Sequence, residues 1–156
     1  MDELKVPKSR APAEVLLPGG GARRVALFLA QAASGHAGPE LPSDLLNGQH
    51  EFVPALDEAG GGMTFLQRGA IAVVRVARAA EQEDAEALTL PTEHEVEVHL
   101  VDGAVLTGLV SYLRPPDRSR LVDFLNEAPP FFRLLEAGTV ALVNKRHVAR
   151  VVLVGR

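Results

Sequence analysis

Three sequence blocks occur twice in this chain, in the same order, and this repetition restricts the possible folds more than any single motif does. The block "VLLPGGGARRVALFLA" at 15–30 resembles "VHLVDGAVLTGLVSYL" at 98–113. Two later blocks repeat in the same way, 43–59 with 122–138 and 63–76 with 140–153. The offset between copies falls from 83 to 79 to 77 residues, which is expected where loops gain or lose residues. The sequence therefore predicts an internal duplication with two units of similar fold.

The repeat also predicts the division of the chain. We expect an N-terminal tail at 1–13, a first β repeat at 14–76, an acidic linker at 77–95 and a second β repeat at 96–156. Residues 81–95 contain six acidic residues and no basic ones, more than the whole net charge of −4. Short helical turns and disorder both remain open for this linker.

The strand pattern is clearest in the second repeat. Val96, Val98 and Leu100 alternate with polar residues, which is typical of a half-buried strand. Asp102-Gly103 predicts a tight hairpin turn, and Gly108 predicts a bend or bulge in the returning strand. The third block of each repeat places a polar tip between two apolar runs, which we interpret as a hairpin. The predicted fold class is mainly β, with two tandem small antiparallel β-barrels or bent sheets.

Each repeat also contains a short segment with helical spacing. Leu121, Phe124 and Leu125 would lie on one face of a helical turn, which we expect to plug one end of the sheet. Asn126 is suited to a C-terminal cap, and two prolines follow. Two readings of the polar positions remain open, turn residues that fix the plug or ligand contacts; these positions are Asp44, Asn47, Asp123 and Asn126.

Composition excludes several classes of protein. Hydrophobic residues make up 47% of the chain and there is no Cys, which excludes a disulfide framework, a thiolate nucleophile and a zinc site with Cys ligands. The charged, Pro-containing start does not resemble a secretory signal, and no apolar run has the length of a membrane span. We expect a cytoplasmic protein that does not enter membranes.

No arrangement of residues predicts catalysis. The five His residues show no zinc-protease spacing, and no Ser has the sequence context of a nucleophile. The stretch "PGGGARR" at 18–24 fits either a hairpin turn or a weak phosphate loop, and its alignment with Asp102-Gly103 favours the turn. We therefore expect no enzyme, no cofactor and no metal site.

One surface stretch, "RPPDRSR" at 114–120, is rich in arginine, the residue best suited to phosphate or carboxylate recognition. If the polar tip of the last block lies nearby, a single basic face results. The candidate ligand-binding residues are Arg114, Arg118, Arg120, Asn126, Lys145 and Arg146.

The second repeat resembles a divergent Sm-like domain, on the basis of Asp102-Gly103, Gly108, the pair Asp123 and Asn126, and Lys145-Arg146 before Val148. Arg68-Gly69 with Ile71 echoes the last of these features in the first repeat. The "RLVDFLN" string at 120–126 also resembles bacterial proteins with the same arrangement. The resemblance implies a small bent β-fold, ring assembly and RNA binding, with ligand contact by Asn126.

Two functions follow as expectations. The first is a noncatalytic binding or assembly module, whose exposed strand edges pair with further copies or with another protein. The alternative is binding of RNA or another anionic ligand by the basic face of the second repeat.

Overall fold

The computed structural model describes residues 8–33, 35–36, 38–81, 91–113, 120–127 and 129–154. Ten strands and two helices follow one another in the order β1 Lys8–Leu17, β2 Gly21–Ala30, α1 Pro42–Leu46, β3 Phe52–Asp57, β4 Met63–Gln67, β5 Val73–Ala77, β6 Thr92–Leu100, β7 Val105–Tyr112, α2 Leu121–Glu127, β8 Phe131–Leu135, β9 Thr139–Asn144 and β10 Val148–Leu153. The prediction of a mainly β protein is confirmed. No helix in the described ranges is long and apolar enough to cross a membrane.

All ten strands belong to one open antiparallel sheet, with the order β10-β6-β7-β8-β9-β5-β1-β2-β3-β4. In each half of the chain the fifth strand lies beside the first, followed by the second, third and fourth. The halves meet where β5 pairs with β9, and β10 and β4 are the two ends. The expectation of two separate sheets is therefore wrong, because one sheet continues through both halves.

The tight turns form where glycine permits them. Gly19 and Gly20 between β1 and β2 have φ of 89° and 98°, and Gly103 between β6 and β7 has φ of 98°. These values lie in the left-handed region that glycine enters without steric cost. The "PGGG" stretch is thus a turn between paired strands, at the position equivalent to Asp102-Gly103.

Two boundaries and two hairpins differ from expectation. β1 begins at Lys8 and pairs with β2 along its whole length, so residues 8–13 are not a tail. β6 begins at Thr92, inside the predicted linker, whose residues 82–90 lie outside the described ranges. Three-ten turns at Arg68–Ala70 and Lys145–His147 follow β4 and β9. After each turn the next strand, β5 or β10, pairs with other strands and not with the strand that precedes the turn. An apolar-polar-apolar pattern does not specify which strand pairs with which, so the predicted hairpins are wrong.

Hydrophobic side chains form two cores, one for each half. The first core consists mainly of residues of β1, β2, β3 and β5, and the second mainly of residues of β6, β7, β8 and β9. Helix α1 buries Leu46 in the first core, whereas Phe124 and Leu125 of α2 are only half-buried against the second. The two helices therefore occupy equivalent places in the chain with unequal burial.

Candidate functional site: a strand seam and two open edges

The joint between β5 and β9 is the contact that unites the two halves. Five residue pairs form its ladder, from Val73 opposite Val143 to Ala77 opposite Thr139. The halves thus join through backbone hydrogen bonds of strands that would otherwise be edges. We call this joint, with the side chains that cross it, the seam.

The side chain of Asn47 crosses the seam just beyond the end of α1. Its Nδ2 donates to the carbonyl oxygen of Phe131 at 3.0 Å, and its Oδ1 accepts from the Phe131 amide at 2.8 Å. Asp44 accepts from the Leu41 amide at 2.9 Å and contacts the His36 ring, so it holds the start of α1. Asn47 therefore fixes the first helix to the second half of the protein.

Charged side chains also cross the seam. Arg75 donates to both carboxylate oxygens of Glu136, at 2.9 and 3.2 Å, and this carboxylate raises the pKa of Arg75 above its ordinary value. The side chain of Glu81 is almost fully buried; it accepts from Arg133 at 2.5 Å and from the Ser43 amide at 2.8 Å. A buried carboxylate is tolerated only when it is paired and hydrogen-bonded in this way.

Part of the first core is supplied by the second half of the chain. Phe131 of β8 and Val140 and Leu142 of β9 are each at most 2% exposed and pack among the side chains of the first core. The opposite face of β9, which carries Ala141 and Val143, packs in the second core. The two strands thus close the first unit while they also belong to the second.

At the β4 end of the sheet, the residues equivalent to Phe131, Val140 and Leu142 face solvent. Gln67 and Asn144 each end a fourth strand and precede a three-ten turn, which makes Met63 equivalent to Val140 and Phe65 equivalent to Leu142. Phe52 opposite Gln67 is likewise equivalent to Phe131 opposite Asn144.

The exposure of these equivalent residues differs strongly. Phe52, Met63 and Phe65 are 56%, 52% and 65% exposed, whereas their counterparts at the seam are buried. We call these three residues the exposed triplet. Within the described ranges β4 is the end of the sheet, and no further strand pairs with it.

A cavity of about 300 Å³ lies at the seam beside the two three-ten turns. Gln67, Arg68 and Gly69 line it from the first half, and Asn144, Lys145 and Arg146 line it from the second; Glu51, Pro130 and Phe131 complete the wall. We call this cavity the seam pocket. It brings three basic side chains from both halves to one place.

Buried Asn144 holds the two turns of the seam pocket together. Its Nδ2 donates to the carbonyl oxygen of Ile71 at 2.9 Å, and its Oδ1 accepts from the Arg146 amide at 3.0 Å. The ring of His147 contacts the carbonyl oxygen of Gly69 at 2.8 Å. These contacts preset the positions from which Arg68 and Arg146 extend.

The predicted ligand residues are distributed among several places. Lys145 and Arg146 line the seam pocket. Arg120, at the start of α2, has its Nε 3.5 Å from Asp123 and is not among the lining residues; Asn126 is exposed one residue before the end of α2. Arg114 and Arg118 lie outside the described residues. The described part of the chain therefore does not bring Arg120 to the two basic residues of the second turn.

The predicted structural residues have identifiable contacts. Asp102 accepts from the Ala104 amide at 3.0 Å and from the Gly19 amide of the first half at 2.9 Å. Both hydrogen bonds favour the charged form and lower the pKa of Asp102. Phe124 stacks on Tyr112 with ring centroids 4.7 Å apart, which holds α2 against β7. Gly108 is a site of close approach by β8, not a bulge in the β6–β7 ladder.

Several residues at the seam have no local signal in the sequence. Arg133 and Glu81 are 52 residues apart, and Arg68 appears only as part of the first-repeat echo. Phe52 and Phe65 could have been found by aligning the repeats, because apolar residues stand at the same positions in both copies. The alignment does not show that these positions are buried in the second half of the chain and exposed in the first. Within the described residues no three His, Asp or Glu side chains cluster as a metal site would require.

Comparison with family models, curated proteins and solved structures finds no match to this chain. The geometry of the seam and of the two open edges is therefore the basis for assigning a function.

Proposed function

We propose that the protein is a noncatalytic assembly module in which copies join head to tail, β10 of one chain pairing with β4 of the next. In this proposal the chain is a tandem of two duplicated Sm-like units, and the joint between copies repeats the seam within each copy. The exposed triplet of one chain then completes the second core of its neighbour, as Phe131, Val140 and Leu142 complete the first core.

The observation that supports this proposal is the difference in burial between equivalent residues. Phe65 is 65% exposed, whereas Leu142 at the same place in the second unit is fully buried. Exposed apolar groups on an open strand edge favour pairing with another strand, because both backbone hydrogen bonds and apolar area become available. β10, at the other end of the sheet, is the counterpart of β5, which already pairs with a fourth strand.

The seam also specifies the register of the proposed joint. Val74 lies opposite Leu142 and Val76 opposite Val140. From Arg150 to Leu153, beyond a register shift that follows Val148, β10 pairs with β6 in the register in which β5 pairs with β1. Val151 is therefore equivalent to Val74, and Leu153 to Val76. Val151 would therefore lie opposite Phe65 of the next copy, and Leu153 opposite Met63.

A joint of this kind uses different surfaces on the two partners, so it is heterologous. Heterologous joints produce closed rings if the rotation between copies closes, and filaments if it does not. Either product has a mass that is a multiple of the 16.6 kDa chain and that depends on concentration.

The test compares the wild-type protein with a Met63→Glu/Phe65→Glu variant by multi-angle light scattering over a concentration series. We expect oligomers for the wild type and monomers for the variant, because two carboxylates on the edge oppose burial in the joint. Leu113→Glu is the matched control, since Leu113 is 57% exposed and directly follows β7, which pairs with neither β4 nor β10. A wild-type monomer at every concentration would refute the proposal, and so would a Met63→Glu/Phe65→Glu variant that forms the same oligomers as the Leu113→Glu control.

The seam pocket supports a second candidate function, binding of RNA or another anionic ligand. Arg68, Lys145 and Arg146 line this cavity with backbone and amide groups beside them. Guanidinium groups donate in a planar fork that suits phosphate oxygens. Binding of this kind would depend on salt, because phosphate neutralisation releases counterions.

This candidate is tested with a fluorescent single-stranded RNA oligonucleotide and a Lys145→Ala/Arg146→Ala variant. We expect at least tenfold weaker binding and a shallower salt dependence than in the wild type. Arg24→Ala, an exposed arginine on β2, is the control. Equal affinity in both variants would exclude the seam pocket as the anion site.

A further inference from the structure

The proposed joint between copies differs from the seam at two neighbouring positions. Val73 of β5 is fully buried at the seam, and Leu16 of β1 lies opposite it and packs against the second core. On β10 and β6 the equivalent positions are Arg150 and His99, which also lie opposite each other. Two apolar residues at the seam are thus replaced by two polar ones at the outer edge.

The joint between copies also lacks the ion pairs that cross the seam. Arg133 pairs with buried Glu81, but the position equivalent to Arg133 on β3 is Pro54. Arg75 pairs with Glu136, but the position equivalent to Arg75 on β10 is Val152. The counterparts of both seam arginines are therefore uncharged residues.

The cost of covering Arg150 determines what kind of joint results. In the register of the seam, Val73 lies opposite Val143, so Arg150 would lie opposite Leu66 of the next copy, which packs in that copy's first core. A guanidinium placed there loses hydration and has no carboxylate opposite it in the next copy, while Glu97, on the same face of β6 as His99, contacts the His99 ring at 3.0 Å. Its aliphatic stem can still lie along apolar surface while the charged end reaches water, which weakens the joint without preventing it.

We propose that Arg150 and His99 weaken the joint between copies, so that the assembly dissociates reversibly while the seam inside each chain stays closed. This inference rests on the proposed head-to-tail assembly and identifies the residues that regulate it. The joint between copies keeps the backbone ladder of the seam and the apolar contacts of the exposed triplet, but it lacks the ion pairs and the buried apolar pair of the seam. Exchange of copies then proceeds without unfolding of either unit.

The test restores the seam's residues at the outer edge with an Arg150→Val/His99→Leu variant of the full chain. Sedimentation of a dilution series measures the dissociation constant of the assembly, which we expect to fall at least tenfold in the variant. Arg24→Val is the control, because it also replaces an arginine by valine but at a position on β2, which is not an edge strand. This variant should leave the dissociation constant of the assembly unchanged. Adding Phe65→Glu to the double variant should return the protein to monomers, because the gain depends on the β4 edge.

The outcomes separate this inference from the proposed function. If the wild type assembles and the double variant assembles equally or more weakly, the role of Arg150 and His99 is overturned while self-assembly stands. If neither protein assembles at any concentration, both proposals fail. A wild type that is monomeric at every concentration refutes the proposed function even if the double variant assembles; dissociation of that variant by Phe65→Glu would then show only that Arg150 and His99 oppose pairing at this edge.

Discussion

Asn47 binds both backbone polar groups of Phe131, a residue 84 positions further along the chain. Its amide oxygen accepts from the Phe131 amide and its amide nitrogen donates to the Phe131 carbonyl. A side-chain amide that satisfies a strand residue in this way replaces a missing neighbouring strand at the start of β8. The same contact holds α1 across the seam, so one residue positions this helix and adds to the contacts that join the two halves.

Replacement of Asn47 should therefore destabilise the whole protein. For Asn47→Ala we expect a loss of about 2 kcal/mol in the free energy of unfolding, because two backbone groups lose their partner in a half-buried site. Urea denaturation followed by circular dichroism measures this loss. Asn126→Ala is the matched control, because Asn126 occupies the position equivalent to Asn47 but is exposed. At protein concentrations too low for assembly, we expect this variant to lose no more than about 0.5 kcal/mol in the free energy of unfolding. Equal losses in the two variants would contradict the role assigned to Asn47.

The contributions of buried Glu81 and its partner Arg133 to the free energy of unfolding should depend strongly on each other. Glu81→Leu leaves the guanidinium without its carboxylate, and we expect a loss of about 2 kcal/mol, moderated because Arg133 is partly exposed. The double variant Glu81→Leu/Arg133→Met should recover most of that loss. A double-mutant cycle of unfolding free energies gives the coupling, and additive losses would show that the pair does not act as a unit.

Gly108 should tolerate no side chain. A Cβ at this position would lie 2.5 Å from the Leu135 carbonyl oxygen and 2.9 Å from Cγ of Leu134, so β8 would have to move. We expect Gly108→Ala to lower the free energy of unfolding by about 1–3 kcal/mol through overpacking. Gly21→Ala, where a Cβ meets no atom within 4 Å, is the control and should be nearly neutral. Thermal and urea unfolding of both variants check the prediction, and a neutral Gly108→Ala would show that β8 does not approach β7 closely.

The turn contact of Asp102 predicts a specific dependence of stability on pH. The pKa of Asp102 is lowered, first by the Ala104 amide and then by the Gly19 amide, so the folded state favours the carboxylate. A lowered pKa stabilises the fold above the unfolded pKa of about 3.9, and this stabilisation disappears as the pH falls through the folded pKa. The difference in stability between wild type and Asp102→Ala should therefore be largest near neutral pH and decrease in acid. A difference that is constant from neutral pH to pH 2 would contradict this linkage.

The register of the proposed joint can be measured directly because the chain contains no Cys. Paired strand residues lie close enough for a disulfide, so a mixture of Phe65→Cys and Val151→Cys proteins should give a crosslinked mixed dimer under mild oxidation. A mixture of Phe65→Cys and Leu113→Cys is the control and should give far less. Equal crosslinking in the two mixtures, measured by non-reducing gel electrophoresis, would argue against the Val151–Phe65 register.

Local sequence patterns predicted most of the strands but not their partners. Alternation in the segment around Val96 and Val98, and the Asp102-Gly103 turn, indicate β6, β7 and their pairing because these signals act between neighbours in sequence. The sequence does not indicate the start of β1, because Lys8, Arg10 and Pro12 give no apolar alternation. Pairing with β2 along the full strand nevertheless keeps these residues in the sheet.

The candidate site was predicted only in part. Lys145 and Arg146 were identified because they form a polar tip between two apolar runs, and they line the seam pocket. Arg68 joins them there because β5 leaves the first turn to pair with β9, which no local pattern specifies. The contacts of Arg133 with Glu81 and of Asn47 with Phe131 likewise depend on how the halves dock.

Local sequence patterns are sufficient to predict that the chain is mainly β, that its two halves share one order of elements, and where several turns lie. These properties follow from side-chain periodicity and from glycine's access to left-handed backbone, and both act over a few residues. The pairing of β5 with β9 is visible only in the folded chain. The same holds for the difference in burial between Phe131, Val140 and Leu142, which close the first core, and the exposed triplet, which faces solvent. The reason is that an edge strand presents the same backbone groups to any partner, so its choice depends on which surfaces the folded chain brings together.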